Sequence, residues 1–450
     1  MSALSTDSIA AISTPVGEGA LAVIRVSGPE AIATVDAVFS GKMSLGEAEP
    51  RFVNFGRIMQ NGRTVDEVLV TVFRNPASYT GEDLVEISCH GGVLVAAKIL
   101  QLLLEKNIRN AEPGEFTQRA FLNGKMDLTQ AEAVMDIIRA QTPLALRAAA
   151  EQLGGRIGEG IQALRETLLE AVAHLEAFID FPEEGIDPDS GRVMLERLAG
   201  VKKNIGQLLD TAQEGRILRE GVRLVICGEP NAGKSSLLNC LLGFDRAIVS
   251  ATPGTTRDTI EELASLRGIP FRITDTAGLR KSADSIEIEG IERARRVIES
   301  ADIVLELLDS TVSEEPKIEV KHCPKILVRN KSDLVSEELL QGDLPPDEVL
   351  ISCKTGEGMD NLVDLLVRKA GRQEVAGRDS IAAINARHQA CLQRALESLR
   401  NAMSALSEGV EPELIALDLR AALDAVGEVV GAVDSEEILG RIFGNFCIGK

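Results

Sequence analysis

Eight residues, Gly228-Glu229-Pro230-Asn231-Ala232-Gly233-Lys234-Ser235, fit the pattern Gly-x4-Gly-Lys-Ser/Thr. Glycines at this spacing let backbone N–H groups approach phosphates. A lysine then reaches the β and γ oxygens, and a hydroxyl ligates Mg²⁺. The stretch predicted to touch a nucleotide here is Asn231, Ala232, Gly233, Lys234, Ser235 and Ser236, with Ser235 as the Mg²⁺ ligand. Downstream, Asp275-Thr276-Ala277-Gly278 supplies an acid that can hold the metal shell through water and a glycine N–H for a γ-phosphate. Asn330-Lys331-Ser332-Asp333 points to guanine. The Asp333 carboxylate can accept from both N1–H and the 2-amino group, a pair that adenine does not offer. The Lys331 stem can pack over the base, and Ser352-Cys353-Lys354 would close on it. Between these lies Gly254-Thr255-Thr256-Arg257-Asp258, whose Thr256 is placed to be a second Mg²⁺ ligand. Many small GTPases carry a water-orienting Gln directly after the Asp-x-x-Gly glycine. Here that residue is Leu279. Either hydrolysis is negligible, leaving a GTP-dependent scaffold, or another group orients the water.

These residues need elements to hold them. The phosphate-binding pattern follows an apolar run, LVIC, and opens a helical one, SLLNCLLG, the context that gives the pattern meaning. LVIC, FRITD, DIVLELL, KILVRN and EVLIS alternate with helical stretches, which predicts a parallel, doubly wound sheet. The chain before it is of another kind. Leu21 to Val26 is a strand, and Val53 to Met59 and Val65 to Phe73 flank Asn61-Gly62, a hairpin turn signal. A helix follows from about Val93 to Glu105. From Leu128 the pattern is helical, with Leu168, Val172, Leu175 and Ile179 on one stripe. Two prolines break it within 181–191, and one further helix is expected from Val193 to Leu218. Helices return after about Gly377, with a second stripe of Leu419, Leu423, Val426, Val430 and Val433. The expected fold is multidomain, α/β and α, with residues 1–126 mixed α/β, 127–219 and 378–450 forming one all-α domain, and 220–377 inserted as a Ras-like P-loop domain.

Composition narrows the partners. The 450 residues are 44% hydrophobic, enough for several cores, and carry a formal charge of -21. That charge argues against non-specific coating of nucleic acid or anionic membrane. No apolar run approaches the ~18–20 residues of a membrane span. The first residues show no basic-then-apolar leader pattern. Seven cysteines without a Cys-x-x-Cys pair suit reduced thiols, and the expected location is cytoplasmic. Cys447-Ile448-Gly449-Lys450 has the spacing of a prenylation box, which Gly449 and Lys450 fit poorly.

The order GEPNAGKS, GTTRD, DTAG, NKSD, with Asn231 in the first, resembles the potassium-stimulated GTPases, and within them the MnmE (TrmE) family of tRNA uridine-modification GTPases. The resemblance runs end to end, through LAVIRVSG, SYTGEDLVEISCHGG, PGEFTQRAFLNGKMDLTQAEAV, AFIDFPEEGI and the terminal GRIFGNFCIGK. It implies a K⁺ ion at the phosphates, at positions matching Asn231, Ser250, Thr252 and Thr255, with Ala251, Pro253 and Gly254 in the same GTP-contacting loop. A fixed cation there would offset charge on the transferring phosphoryl group. The family's water-activating residue matches Glu287, with Glu289 and Glu292 as neighbouring alternatives. The resemblance makes the N-terminal domain a folate-binding and dimerisation domain, taking 5-formyltetrahydrofolate or a related one-carbon tetrahydrofolate through Arg25, Glu86, Lys125 and Lys450. Cys447 then faces the modification chemistry as a catalytic candidate. The implied partners are a second copy of the chain, the flavoprotein MnmG in a heterotetramer, and tRNA, with no membrane. A GTP-gated ribosome-assembly factor binding rRNA is the competing reading, and it has no use for folate residues or the CIGK terminus.

Overall fold

The computed structural model describes residues 7–180, 192–244, 261–275, 295–312, 316, 318–335, 344–371, 383–432 and 436–450. The chain divides into two compact units: Met1–Met135, Gly158–Leu198 and Glu397–Lys450 in the first, Asp136–Ile157 and Ala199–Leu396 in the second. Along the chain the elements are β1 (Ile9–Ile12), β2 (Leu21–Ser27), α1 (Ala31–Asp36), β3 (Phe39–Gly41), β4 (Val53–Gln60), β5 (Arg63–Phe73), β6 (Leu84–His90), α2 (Val93–Leu104), β7 (Arg109–Asn110), α3 (Glu115–Leu122), α4 (Leu128–Arg139), α5 (Pro143–Leu153), α6 (Arg156–Asp180), α7 (Arg192–Asp210) and α8 (Ala212–Glu220). There follow β8 (Val222–Gly228), α9 (Lys234–Phe244), β9 (Glu261–Leu266), β10 (Ile269–Asp275), β11 (Ile303–Asp309), β12 (Lys325–Asn330), β13 (Glu348–Leu350), α10 (Met359–Lys369), α11 (Ala386–Glu408), α12 (Pro412–Val430) and α13 (Glu436–Phe443).

In the first unit a seven-stranded sheet runs β3-β4-β5-β6-β2-β1-β7, antiparallel except where β7 joins β1. The expected hairpin is there: Asn61 and Gly62 both take positive φ, and Gln60 pairs with Arg63. Alternation then sets the core face of β5, whose Val68, Val70 and Val72 are buried while Leu69 faces out. Helix α2 lays Ile99 and Leu103 on that core. A second cluster joins Leu128 and Met135 of α4 to Leu439 and Phe443 of α13. The two helical stretches also touch in this unit, where Arg420 of α12 pairs with Glu176 of α6 at 2.6 Å.

In the second unit a six-stranded sheet runs β13-β12-β11-β8-β10-β9. All neighbours are parallel except β9, which turns back antiparallel on β10 through Arg267 and Gly268. The parallel, doubly wound sheet expected from the sequence thus carries an antiparallel edge. Strand β8 lies between β11 and β10, so the chain leaves it for one side of the sheet and later returns on the other. Ligands of such sheets bind at this switch point.

Two helical expectations are corrected. The single helix expected over Val193 to Leu218 is α7 and α8, broken at Thr211. At the break Thr211 N and its hydroxyl both donate to Leu208 O, at 3.0 and 2.7 Å, which closes a tight local turn, and the hydroxyl also accepts from Ile384 N at 3.3 Å. In α12 the buried face includes Ile415, Leu419, Ala422, Val426 and Val429, whereas Leu423 and Val430 are half-buried. Gly431, at φ 80°, caps that helix. Val433, from the expected stripe, and the proline-containing segment 181–191 lie outside the described residues. Among the described residues no helix is long and apolar enough to cross a membrane.

Candidate active site

The phosphate loop is built by the end of β8. Burial of Leu224, Val225, Ile226 and Cys227 makes that strand a core element, and burial holds the Cys227 thiol up at about 12. Gly228 follows at φ 144°, so close to β11 that a Cβ would lie 2.3 Å from Leu307 O. Asn231 sits exposed in the left-handed region at φ 67°. Lys234 opens α9, and its ammonium bends back to donate to Gly228 O and Glu229 O at 2.9 and 2.7 Å. Ser235 and Ser236 are exposed at the helix start, where unpaired N–H groups and the helix dipole favour an anion. The Ser235 hydroxyl donates to Asp275 Oδ2 at 3.3 Å, because β10 runs parallel beside β8 and ends level with it. Two oxygen donors of the kind Mg²⁺ prefers are thereby adjacent.

The segments 330–333 and 352–354 are fastened to this loop by one buried side chain. Asn330, 3% exposed, donates through Nδ2 to Ala232 O at 2.9 Å and accepts from Cys353 N at 3.1 Å. A Cβ on Gly233, at φ 103°, would lie 2.3 Å from that same Nδ2, so glycine is required for the clamp to close. Ser332 N donates to Ile351 O at 3.1 Å. Ser352, fully buried, donates its hydroxyl to Asp333 Oδ1 at 2.7 Å, while Thr355 N donates to Ser352 Oγ. Lys354 is exposed, 3.9 Å from Asp333 Oδ2. Asp333 is thus held from its inner side, and its carboxylate is a fixed acceptor. Burial and the nearby Cys240 push the Cys353 thiol up to about 12, so it is a neutral packing group here.

Sequence reasoning passed over Asp309. Its Oδ2 accepts from Lys331 Nζ at 2.5 Å, and its Oδ1 accepts from the Thr311 hydroxyl and amide at 2.7 and 3.0 Å. Burial pushes this carboxyl up, but Lys331 and Thr311 outweigh it and hold the group below the ordinary aspartate range. The only advance signal was an acid at the end of an apolar strand, which many turns share.

In the first unit Arg25 and Glu86 are cross-strand partners on β2 and β6. The Arg25 guanidinium donates Nε and one terminal N–H to Glu86 Oε1 at 3.0 and 2.7 Å. It also lies 5.1 Å from the Tyr79 ring centre and 5.7 Å from that of Phe116. Lys450 reaches the same place, since Phe116 N donates to Lys450 O at 3.2 Å. Lys125 is exposed and donates to Pro76 O at 3.0 Å, on the loop that carries Tyr79. Tyr79, the single tyrosine of the chain, thus lies beside Arg25, and Phe116 stands between Arg25 and Lys450. Cys447 is exposed, its carbonyl accepting from Gly114 N and Lys450 N at 3.4 and 3.3 Å. Ser250, Ala251, Thr252, Pro253, Gly254, Thr255, Thr256, Thr276, Ala277, Gly278 and Glu287 lie outside the described residues.

A phosphate loop at the switch point of a sheet, tied through Asn330 to the Ser352–Lys354 segment that holds Asp333, defines a P-loop GTPase. Comparison with known proteins agrees. The family described as GTP-binding protein TrmE N-terminus matches residues 8–125, and the MnmE helical domain family matches residues 128–447. The chain is 47% identical over 459 residues to the tRNA modification GTPase MnmE of Akkermansia muciniphila, covering 98% of each. It is 44% identical over 465 residues to that of Moorella thermoacetica and 42% over 456 to that of Listeria innocua serovar 6a, covering 99% of each chain in both cases. The G domain of the T. maritima FeoB iron transporter overlays on 33% of this chain and 98% of its own at 27% identity, with a TM-score of 0.24, too low to support a comparison of folds. The chain belongs to the MnmE (TrmE) family of tRNA modification GTPases.

Proposed function

We propose that the chain is a potassium-stimulated GTP hydrolase that, with the flavoprotein MnmG, modifies carbon 5 of the wobble uridine of certain tRNAs using a one-carbon tetrahydrofolate. The observation that carries the nucleotide half is the Asn330 clamp, which ties the Lys234 loop to the Asp333 carboxylate. Family membership along the whole chain carries the tRNA half. In this reading Lys234, Ser235 and Ser236 serve the phosphates, Ser235 and Thr256 would ligate Mg²⁺, and Asp275 would support its shell. Asp333 reads the guanine edge. Asn231, Ser250, Thr252 and Thr255 would hold K⁺, and Glu287 orients the attacking water that Leu279 cannot. Asn231 is exposed on the loop and offers an amide oxygen, a donor K⁺ accepts.

Arg25, Glu86, Lys125 and Lys450 would bind the folate, with Cys447 beside it. The chemistry fits. Arg25 uses only Oε1 of Glu86, which leaves Oε2 for the amino edge of a pterin, and the half-buried Tyr79 ring beside Arg25 offers an aromatic surface. The working unit is a homodimer that joins MnmG in a heterotetramer in the cytoplasm. The divisions 1–126, 127–219, 220–377 and 378–450 serve folate, helical scaffold, GTPase and helical scaffold in turn.

The deciding experiment is GTP turnover by the full chain in potassium and in sodium at equal ionic strength. Potassium-specific turnover that collapses in Asn231→Ala is the expected result. Equal rates in the two salts would remove Asn231 as a K⁺ ligand. Binding of 5-formyltetrahydrofolate, lost in Glu86→Ala, is the separate check on the first unit.

A further inference from the structure

The turn after β11 carries no residue of the nucleotide-binding motifs, yet it is built around one of them. Asp309 ends β11 in register with Asn330 of β12. From the next residue, Ser310 N donates to Asn330 O at 2.9 Å. Both oxygens of Asp309 are committed: Oδ1 to Thr311 N and Oγ1, Oδ2 to the Lys331 ammonium at 2.5 Å. The carboxylate therefore cannot swing, and its side chain is 15% exposed. Lys331 is different. It sits at φ 69° between β12 and the short Ser332–Leu334 turn, and its side chain is 32% exposed. A lysine stem has four rotatable bonds and a strongly hydrated head, so left alone it samples many rotamers. Its ammonium ends on Asp309, and two residues further along the same short turn Asp333 accepts the Ser352 hydroxyl, so the anchored lysine and the held carboxylate leave one turn.

We propose that Asp309 is a positioning residue for guanine-nucleotide binding: it anchors the Lys331 ammonium so that the Lys331 stem is set in advance against the plane of the base. This rests on the reading of Asn330–Asp333 as the guanine-recognition segment. A preset stem lowers the ordering cost of binding. Because a stem packs on the face of a purine and not on its edge, Asp309 contributes affinity and leaves base choice to Asp333. The bland role, a salt bridge that merely closes the β11 turn, predicts a different pattern of variants.

The test is binding of fluorescent GDP and, in parallel, IDP to the full chain with Mg²⁺, for wild type, Asp309→Ala, Asp309→Asn, Lys331→Ala and the double alanine variant. Asp309→Ala is expected to weaken GDP about tenfold, the scale of one charge-assisted hydrogen bond. Asp309→Asn, which keeps an acceptor and guards against misfolding, loses less. The GDP to IDP ratio stays as in wild type. The KM for GTP rises with kcat little changed, since the γ-phosphate is at the other end of the ligand. Above all, adding Asp309→Ala to Lys331→Ala costs nothing further. An unchanged GDP affinity in Asp309→Ala, or fully additive losses in the double variant, would overturn the proposal. A wild-type chain that does not bind GDP at all would instead sink the guanine reading itself, a result the two-variant cycle cannot mimic.

Discussion

At the residue scale the site is a matter of which hydrogen bonds each carboxylate has left to offer. Asp333 spends one oxygen on the Ser352 hydroxyl and lies 3.9 Å from Lys354, which leaves it acceptor capacity for the guanine edge proposed above. Replacing it with Asn reverses half of that character. An amide donates where guanine also donates, but it matches the C2 carbonyl of xanthine. Asp333→Asn should therefore lose GTP hydrolysis by a factor of about 100, roughly two hydrogen bonds, and gain turnover of xanthosine triphosphate. Steady-state kinetics with both nucleotides decides it, and a variant equally poor with both would disprove edge reading by Asp333. Motif residues of this kind were legible because the chemistry dictates their type and spacing: Lys234, Ser235, Asn330 and Asp333 all stand in one unit, linked as the motif order required. Asp309, Tyr79 and Phe116 were not legible. Their contribution lies in three-dimensional proximity, and nothing in their local sequence marks it.

At the element scale, alternation and turn chemistry were readable where they act locally. The Asn61-Gly62 hairpin and the strands LVIC, FRITD, DIVLELL and KILVRN appear where the pattern put them. The break between α7 and α8 was hidden because no Gly or Pro marks it: a Thr211 turn onto Leu208 O makes it, and the same hydroxyl takes a partner about 170 residues away, Ile384. That junction makes a measurable demand on α8. From it Arg219 donates to Asp136 Oδ2 at 2.7 Å, Gln152 Oε1 at 3.0 Å, and the carbonyls of Ala383 and Ile384 at 2.7 and 3.0 Å. One guanidinium thus joins α4, α5 and the segment leading into α11 to the helix that feeds β8. Arg219→Ala leaves the half-buried Asp136 and acceptors on the buried Gln152, Ala383 and Ile384 without that donor and should cost about 2–4 kcal/mol. Urea denaturation followed by circular dichroism would show it as a lower midpoint with an unchanged slope. A midpoint equal to wild type would mean the network adds nothing to stability.

At the scale of the whole molecule the two units should respond to acid through different groups. In the first, Arg119 is nearly buried among Asp7, Glu82 and Glu115, and Arg109 pairs with Glu115 as well. Burial pushes the Glu115 carboxyl up, but Arg109, the Glu112 amide and Arg119 outweigh it, so the group ends below the ordinary glutamate range. In the second, Asp302 and Asp309 are held low, against burial, by Arg223 and Arg216 and by Lys331 and Thr311. A carboxyl whose pKa is lower folded than unfolded binds protons preferentially when unfolded. The stability it gives is complete above the usual carboxylate range, about 4, and drains away as pH falls through the lowered folded value. Calorimetric unfolding of the full chain should hence be nearly flat from pH 7 to about 5 and fall steeply below about 4. Arg119→Met separates the units. It strands Glu82 and Glu115 with less countercharge at neutral pH, a loss of about 3–5 kcal/mol, and lets Glu115 take up its proton at higher pH. The variant should lower the transition of the first unit, with acid sensitivity beginning at higher pH, while GDP affinity, which belongs to the second, stays as in wild type. A loss of GDP binding that tracked the loss of stability would mean that the two units do not unfold as separate bodies, and the assignment of acid sensitivity to one of them would fail.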